Sequence, residues 1–165
     1  MIIGILGSGF GLYGYLPAIL KHYSTFEVLI LHKSLTVLES RNDLKKYIPF
    51  IKTVHNREVL ISKCDFLIVA YPPNGVESLF ENLTLFEGLN KILIEKPIAL
   101  TTQNSIKLVK NLNNIKIHVC SGFNFMYTEW NDLLFSSKIK NININWCFKP
   151  QQNWKNNIND GGGAL

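Results

Sequence analysis

Met1-Ile2-Ile3-Gly4-Ile5-Leu6-Gly7-Ser8-Gly9-Phe10-Gly11-Leu12-Tyr13-Gly14 opens the chain, and its reading decides the fold. Met1 to Leu6 is a short apolar run that stops at Gly7, as a buried strand does. After the glycines, Leu16, Ile19, Leu20 and Tyr23 fall at i, i+3, i+4 and i+7, one face of a helix. Pro17 sits in its first turn, where a missing N–H costs little. A strand, a glycine-rich turn and a helix together suit an anion such as a pyrophosphate. The glycines let the backbone bend and come close, and the first N–H groups of the helix, at its positive dipole end, hold the charge. Two registers of GxGxxG fit. The one starting at Gly7 has Leu12 in its third position; the one starting at Gly9 takes Gly9, Gly11 and Gly14. We read the first, because Gly7 directly follows the strand. The alternative is a glycine-rich turn that holds no ligand.

Further strands are expected at Phe26 to Leu31, Phe50 to Val54, Asp65 to Ala70, Lys91 to Ile94 and Ile115 to Cys120. Helices are expected over Ser34 to Lys46, on the face marked by Val76, Leu79, Phe80 and Leu83, and around Ile106, Val109 and Leu112, with Thr101 or Thr102 as cap. Strands alternating with helices imply a parallel sheet covered on both faces, with right-handed crossovers. The expected fold class is α/β, a doubly wound parallel sheet of the Rossmann type. After Ser121 the pattern changes. Tyr127 to Ser137 reads as a helix. From Asn141 to Phe148 the apolar residues Ile142, Ile144, Trp146 and Phe148 alternate with Asn141, Asn143, Asn145 and Cys147, a strand with one buried face. Such a strand needs a partner, and only Lys149 to Leu165 follow. The expected division is therefore a dinucleotide-binding Rossmann domain over 1–121 and, over 122–165, the incomplete start of an α+β substrate or dimerisation domain.

Hydrophobic residues make up 47% of the 165 and charged residues 18%, enough apolar material for a real core and unlike a disordered chain. No run of about 18 apolar residues is present, so no membrane span is expected. The apolar start lacks a basic leader and reads as a strand, not a signal peptide. Cys64, Cys120 and Cys147 form no CxxC; they read as small buried hydrophobes in a reducing cytoplasm. His22, His32, His55 and His118 lie far apart, and no metal is expected. The net charge of +5 comes from scattered lysines, with Lys45-Lys46 the only adjacent Lys/Arg pair, so no nucleic-acid partner is expected.

Two further places carry chemistry. An NAD site usually has an acid at the end of the second strand, bonding the ribose 2′-hydroxyl. Here that place reads Leu31-His32-Lys33-Ser34, with no acid. Lys33, helped by Ser34 and His32, can receive a 2′-phosphate; the other reading is a solvated lysine. The cofactor expectation is NAD or NADP, leaning to NADP. The second place is Glu95-Lys96-Pro97, after the fifth strand. A lysine at the carboxyl end of a parallel strand points toward the ligand crevice, where it can bond a substrate oxygen or assist proton transfer. Its other reading is a strand-end salt bridge with Glu95.

GILGSGFGLYGYLPAIL (4–20), VAYPPNG (69–75), ILIEKPIALT (92–101), SGFNF (121–125) and GGGAL (161–165), in that order, resemble the Gfo/Idh/MocA family of NAD(P)-dependent oxidoreductases. That family includes glucose–fructose oxidoreductase and inositol dehydrogenase. The resemblance implies that Gly7, Ser8, Gly9, Phe10, Gly11 and Leu12 hold the pyrophosphate, and that Tyr71, Pro72, Pro73 and Asn74 line the adenosine and nicotinamide side. It implies that Glu95, Lys96 and Pro97 sit beside the nicotinamide, with Lys96 also facing substrate as the catalytic residue. Asn124 would approach the nicotinamide or the substrate. Two departures stand out. Val76 occupies a place shortly after the PP element where members often carry histidine. The family also continues past GGGAL into a DxGxH segment holding the acid/base residues, and this sequence stops at Leu165. The expectation is an oxidoreductase acting on a sugar, polyol or nucleotide-sugar carbon, here an incomplete chain with little activity. The full-length form would be a homo-oligomer. The alternatives are a non-catalytic dinucleotide-binding module and an AdoMet-dependent methyltransferase; the latter usually wants an acid after strand two and has no use for EKP.

Overall fold

A computed structural model of the chain describes residues 1–128 apart from Ser24 and Lys116, together with 131, 132, 135 and 141. Six strands are present among them: β1 (Ile2–Leu6), β2 (Glu27–Leu31), β3 (Ile51–Val54), β4 (Phe66–Val69), β5 (Lys91–Ile94) and β6 (His118–Ser121). They form one parallel sheet in the order β3-β2-β1-β4-β5-β6. This is the doubly wound order, with the direction of winding reversing between β1 and β4. In sheets of this order ligands bind in the cleft beyond the carboxyl ends of the strands at that reversal.

Both faces of the sheet are covered, which is why the strands read as continuous apolar runs. Ile3, Ile5, Val28, Ile30 and Ile68 point to one face, where they meet Leu16 and Ile19 of α1 (Leu16–His22) and Leu38 of α2 (Leu35–Ser40). Leu6, Leu29, Leu31, Leu67, Val69, Ile92 and Ile94 point to the other. There they pack on α3 (Arg57–Lys63), α4 (Pro73–Leu79) and α5 (Thr102–Asn113) through Leu60, Ile61, Val76, Leu79, Leu108 and Leu112. Gly4 lies on this second face. A Cβ there would stand 2.5 Å from Leu60 Cδ2 and 3.0 Å from Cys64 Sγ, so glycine lets α3 lie close against β1.

Several expected boundaries move. The helix expected over Ser34 to Lys46 is only α2, flanked by 3-10 turns at His32–Ser34 and Lys45–Phe50. Arg41 and Asp43, an exposed ion pair at 2.7 Å, lie in the break between them, and Pro49 keeps the second turn from continuing as α-helix. Phe50 belongs to that turn and not to β3. α3 was not expected at all. It is too short to show a helical period, and its one local sign is Asn56, whose side chain accepts from the Val59 N–H at 2.9 Å. β6 begins at His118 instead of Ile115 and is the last strand of the sheet among the described residues, and Cys120 on it is exposed and not a core residue there. Cys64 is buried as expected, and burial pushes its thiol up to about 11. No helix among the described residues is long and apolar enough to cross a membrane. The expected strand at 141–148, the GGGAL segment, Cys147, most of the expected helix at Tyr127 to Ser137, and with them nearly all of the expected second domain, lie outside the described residues.

Gly4→Val should cost about 1–3 kcal/mol of stability by forcing α3 off the sheet. Denaturant unfolding of the full chain measures it; an unchanged midpoint would show that α3 does not need the close approach.

Candidate cofactor site

Gly7 makes the turn out of β1 with φ +118°, a conformation that L side chains rarely adopt. A Cβ at Gly7 would also run into the carbonyl of Ala70, at the end of β4. The loop therefore crosses the top of the neighbouring strand in direct contact with it. Gly9 is different: a Cβ there would meet nothing within 4 Å. Its glycine serves no packing need in this structure, and the space beside its Cα is open. Gly11 packs inward, 2.9 Å from Ile5 Cγ2 by the same measure, and Leu12 is fully buried. Gly14 faces the Phe10 ring. The glycines thus divide by role into tight turn at Gly7, open approach at Gly9 and helix packing at Gly11. That division favours the register starting at Gly7, with Leu12 as core in the third place.

The helix after the loop begins with a π-helical turn, Gly11–Tyr15, and continues as α1. The N–H groups of Leu12 and Tyr13 both donate to the Gly9 carbonyl, at 2.9 and 3.3 Å. The donors ahead of them stand at the open helix end, where intrahelical partners run out. Ser8 and Gly9 are exposed and Phe10 half-buried. An open glycine, a tight glycine turn and a helix start fit a dinucleotide pyrophosphate.

The other expected residues flank this loop at the carboxyl ends of their strands. On the β2 side, His32 and Lys33 are exposed, whereas Ser34 is only 5% exposed and presents little of its hydroxyl. The sequence reading missed His55 there. Its ring lies 5.1 Å from that of His32, whose Nδ1 is 3.4 Å from Thr53 Oγ1. On the β4 side, Tyr71 and Pro72 are half-buried, Pro73 is buried at the start of α4, and Asn74 is exposed. Burial raises the Tyr71 phenol pKa, with the nearby Arg57 charge opposing.

Past β5, the Glu95 N–H continues the ladder to the Val69 carbonyl at 2.8 Å, and Lys96 and Pro97 follow, both exposed and joined by a cis peptide. The Glu95 carboxylate accepts a hydrogen bond from the Tyr15 hydroxyl at 2.7 Å. A few residues on, the Leu100 N–H and the Asn104 side chain donate to Glu77 Oε1 on α4, at 2.6 and 2.9 Å. The EKP segment is therefore tied down on both flanks. Asn124 lies exposed in a 3-10 turn after β6. Burial, then the bond and negative charge of Glu95, raise the Tyr15 phenol well above the usual range; Asn124 pulls weakly the other way. No local pattern marks Tyr15, because its partner is 80 residues away. A concavity of about 480 Å³ lined by Leu83, Phe86, Leu89, Ile115 and Ile117 opens at the opposite end of the sheet and shares no residue with this site.

No family model matches the chain. An uncharacterized oxidoreductase of Synechocystis sp. is 23% identical over 180 residues, covering all of this chain and 47% of that protein. Among solved structures, the WlbA dehydrogenase of Chromobacterium violaceum, in complex with NADH and UDP-GlcNAcA, superposes with a TM-score of 0.61 at 16% identity, over 81% of this chain and 38% of that one. The oxidoreductase yvaA of Bacillus subtilis gives 0.62 at 19% identity, with the same coverage. A super-repressor mutant of Gal80p from Saccharomyces cerevisiae gives 0.63 at 14%, over 79% and 36%. The chain spans about half the length of the curated relative and less of the solved ones.

Gly7→Ala should cost about 3 kcal/mol or more, from the backbone conformation and the Ala70 contact together. Gly9→Ala should fold with unchanged stability yet weaken dinucleotide binding by about tenfold. Paired unfolding and titration curves check both, and equal effects of the two substitutions would contradict the division of roles. The likeness to these solved chains is one of fold: a six-stranded parallel sheet of the Rossmann type, wound on both sides of β1.

Proposed function

We propose that this chain is the cofactor-binding part of an NAD(P)-dependent oxidoreductase of the Gfo/Idh/MocA type. The observation that supports the reading is that Gly7, Gly9, Tyr71, Glu95 and Lys96 all follow the carboxyl ends of the neighbouring strands β1, β4 and β5. Gly7 to Leu12 would hold the pyrophosphate. Tyr71, Pro72, Pro73 and Asn74 would border the dinucleotide on the β4 side, and Glu95, Lys96, Pro97 and Asn124 the nicotinamide. The nicotinamide, when bound, supplies hydride chemistry. Lys96 then places its ammonium against a substrate oxygen and assists movement of that oxygen's proton.

The substrate class in this reading is a sugar, polyol or nucleotide sugar. The nucleotide-sugar version draws support from the WlbA neighbour, whose structure holds NADH together with UDP-GlcNAcA. The chain spans about half the length of the curated relative, and the substrate, turnover and homo-oligomeric contact of the whole protein are part of this proposal. A reducing cytoplasm fits the exposed Cys120 thiol.

On the adenosine side the proposal is NADP over NAD. Exposed His32 and Lys33, with His55 beside them and no carboxylate in the Leu31–Ser34 stretch, suit a 2′-phosphate better than a ribose hydroxyl. Titration of the full chain should show tighter binding of NADPH than of NADH. Lys33→Ala should remove about tenfold of that preference, roughly 1.4 kcal/mol. Tighter binding of NADH by the unaltered chain would sink the NADP assignment, and no binding of either would sink the cofactor reading itself.

A further inference from the structure

We infer that Tyr15 is a positioning residue that ties the cofactor loop to Glu95 and so sets the place of Lys96 at the nicotinamide end of the cleft. The inference rests on the dinucleotide reading above and adds to it a residue outside the glycine loop and the EKP segment. Two features converge on the Tyr15 hydroxyl. It donates to Glu95 Oε2 at 2.7 Å, a bond that spans 80 residues of sequence. The residue facing the pair is Gly122, where a Cβ would stand 2.5 Å from both the Tyr15 hydroxyl and Glu95 Oε2. Glycine at 122 is thus the space through which phenol and carboxylate meet.

The other end of the strut is fixed as well. The Phe10 ring, from the glycine loop, packs edge-on against the Tyr15 ring with centroids 5.0 Å apart. Gly14 leaves room for Phe10 to lie there, since a Cβ at 14 would come within 2.6 Å of that ring. The connection therefore runs from Phe10 through Tyr15 to Glu95, whose next residue is Lys96. The sheet order sets its direction. β5 and β6 lie on the side of β1 away from β2, and a dinucleotide laid across the switch point has one nucleoside on each side. The strut acts on the side away from His32 and Lys33.

That asymmetry gives a test. Dissociation constants of NADH and of ADP-ribose are measured on the full chain. Tyr15→Phe keeps the ring and its packing on Phe10 but removes the donor. It should weaken NADH by about tenfold while ADP-ribose stays within about twofold, because ADP-ribose lacks the nicotinamide. Gly122→Ala should reproduce that pattern, and the double variant should lose no more than either alone, as residues acting in one unit do. A Tyr15→Phe chain that binds both ligands as before, or loses both equally, overturns the inference. If the unaltered chain binds neither ligand, the dinucleotide reading fails separately, and the strut is judged by phenolate absorbance. The signal lost in Tyr15→Phe should then be absent through the range where ordinary phenols ionise, near pH 10, and should return toward that range in Glu95→Gln. A Tyr15 that ionises with the ordinary tyrosines of the unaltered chain shows that the pair does not form.

Discussion

The passage of Gly7 over the Ala70 carbonyl is the contact on which the cleft depends. β1 and β4 are the two strands between which the winding reverses, and here the chain leaving β1 leans directly on the end of β4. No other residue type meets both requirements of that place, a φ of +118° and no atom where Cβ would be. Because Gly7 turns so sharply, Gly9 is left open, and Gly11 and Leu12 bury themselves at once against the sheet. The helix start is held at the mouth of the switch point by core packing below and by the strand end beside it.

Long-range hydrogen bonds then order the rim. Tyr15 joins the first helix to the residue after β5, and Glu77 joins α4 to the segment between β5 and α5. Both acceptors are carboxylates, and the Tyr15–Glu95 and Leu100–Glu77 bonds are between partially buried groups, where exchange with water is limited. The surface ion pairs have a different standing. Arg41–Asp43, Lys52–Glu27 and Arg57–Glu58 are solvent-exposed and contribute little to stability.

The middle of the sheet was legible because it is buried on both faces, so β1, β2 and β4 announce themselves as apolar runs. The glycine loop and EKP were legible because their spacing is local. Elements that depend on short-range competition were not. The stretch from His32 to Phe50 consists of three short pieces, a 3-10 turn, α2 and a second 3-10 turn that contains Pro49, and α3 is stabilised by one asparagine cap and two buried residues. Tyr15, Gly122 and His55 were invisible for another reason. Each matters only through a residue distant in sequence, and no single-chain pattern relates positions 15, 95 and 122. Ser34 shows the reverse case, a polar residue that the pattern placed in the site and that packing largely withdraws from the surface.

Gly122 carries a consequence for how such a chain can diverge. The phenol of Tyr15 is long, and the room for its meeting with Glu95 exists only because position 122 has no side chain. A shorter polar group at 15 would stop before that space, and a larger residue at 122 would become tolerable. Positions 15 and 122 are thus expected to change together across related sequences, with glycine kept wherever the long phenol is kept. They should drift as a pair, independently of the glycines of the first turn.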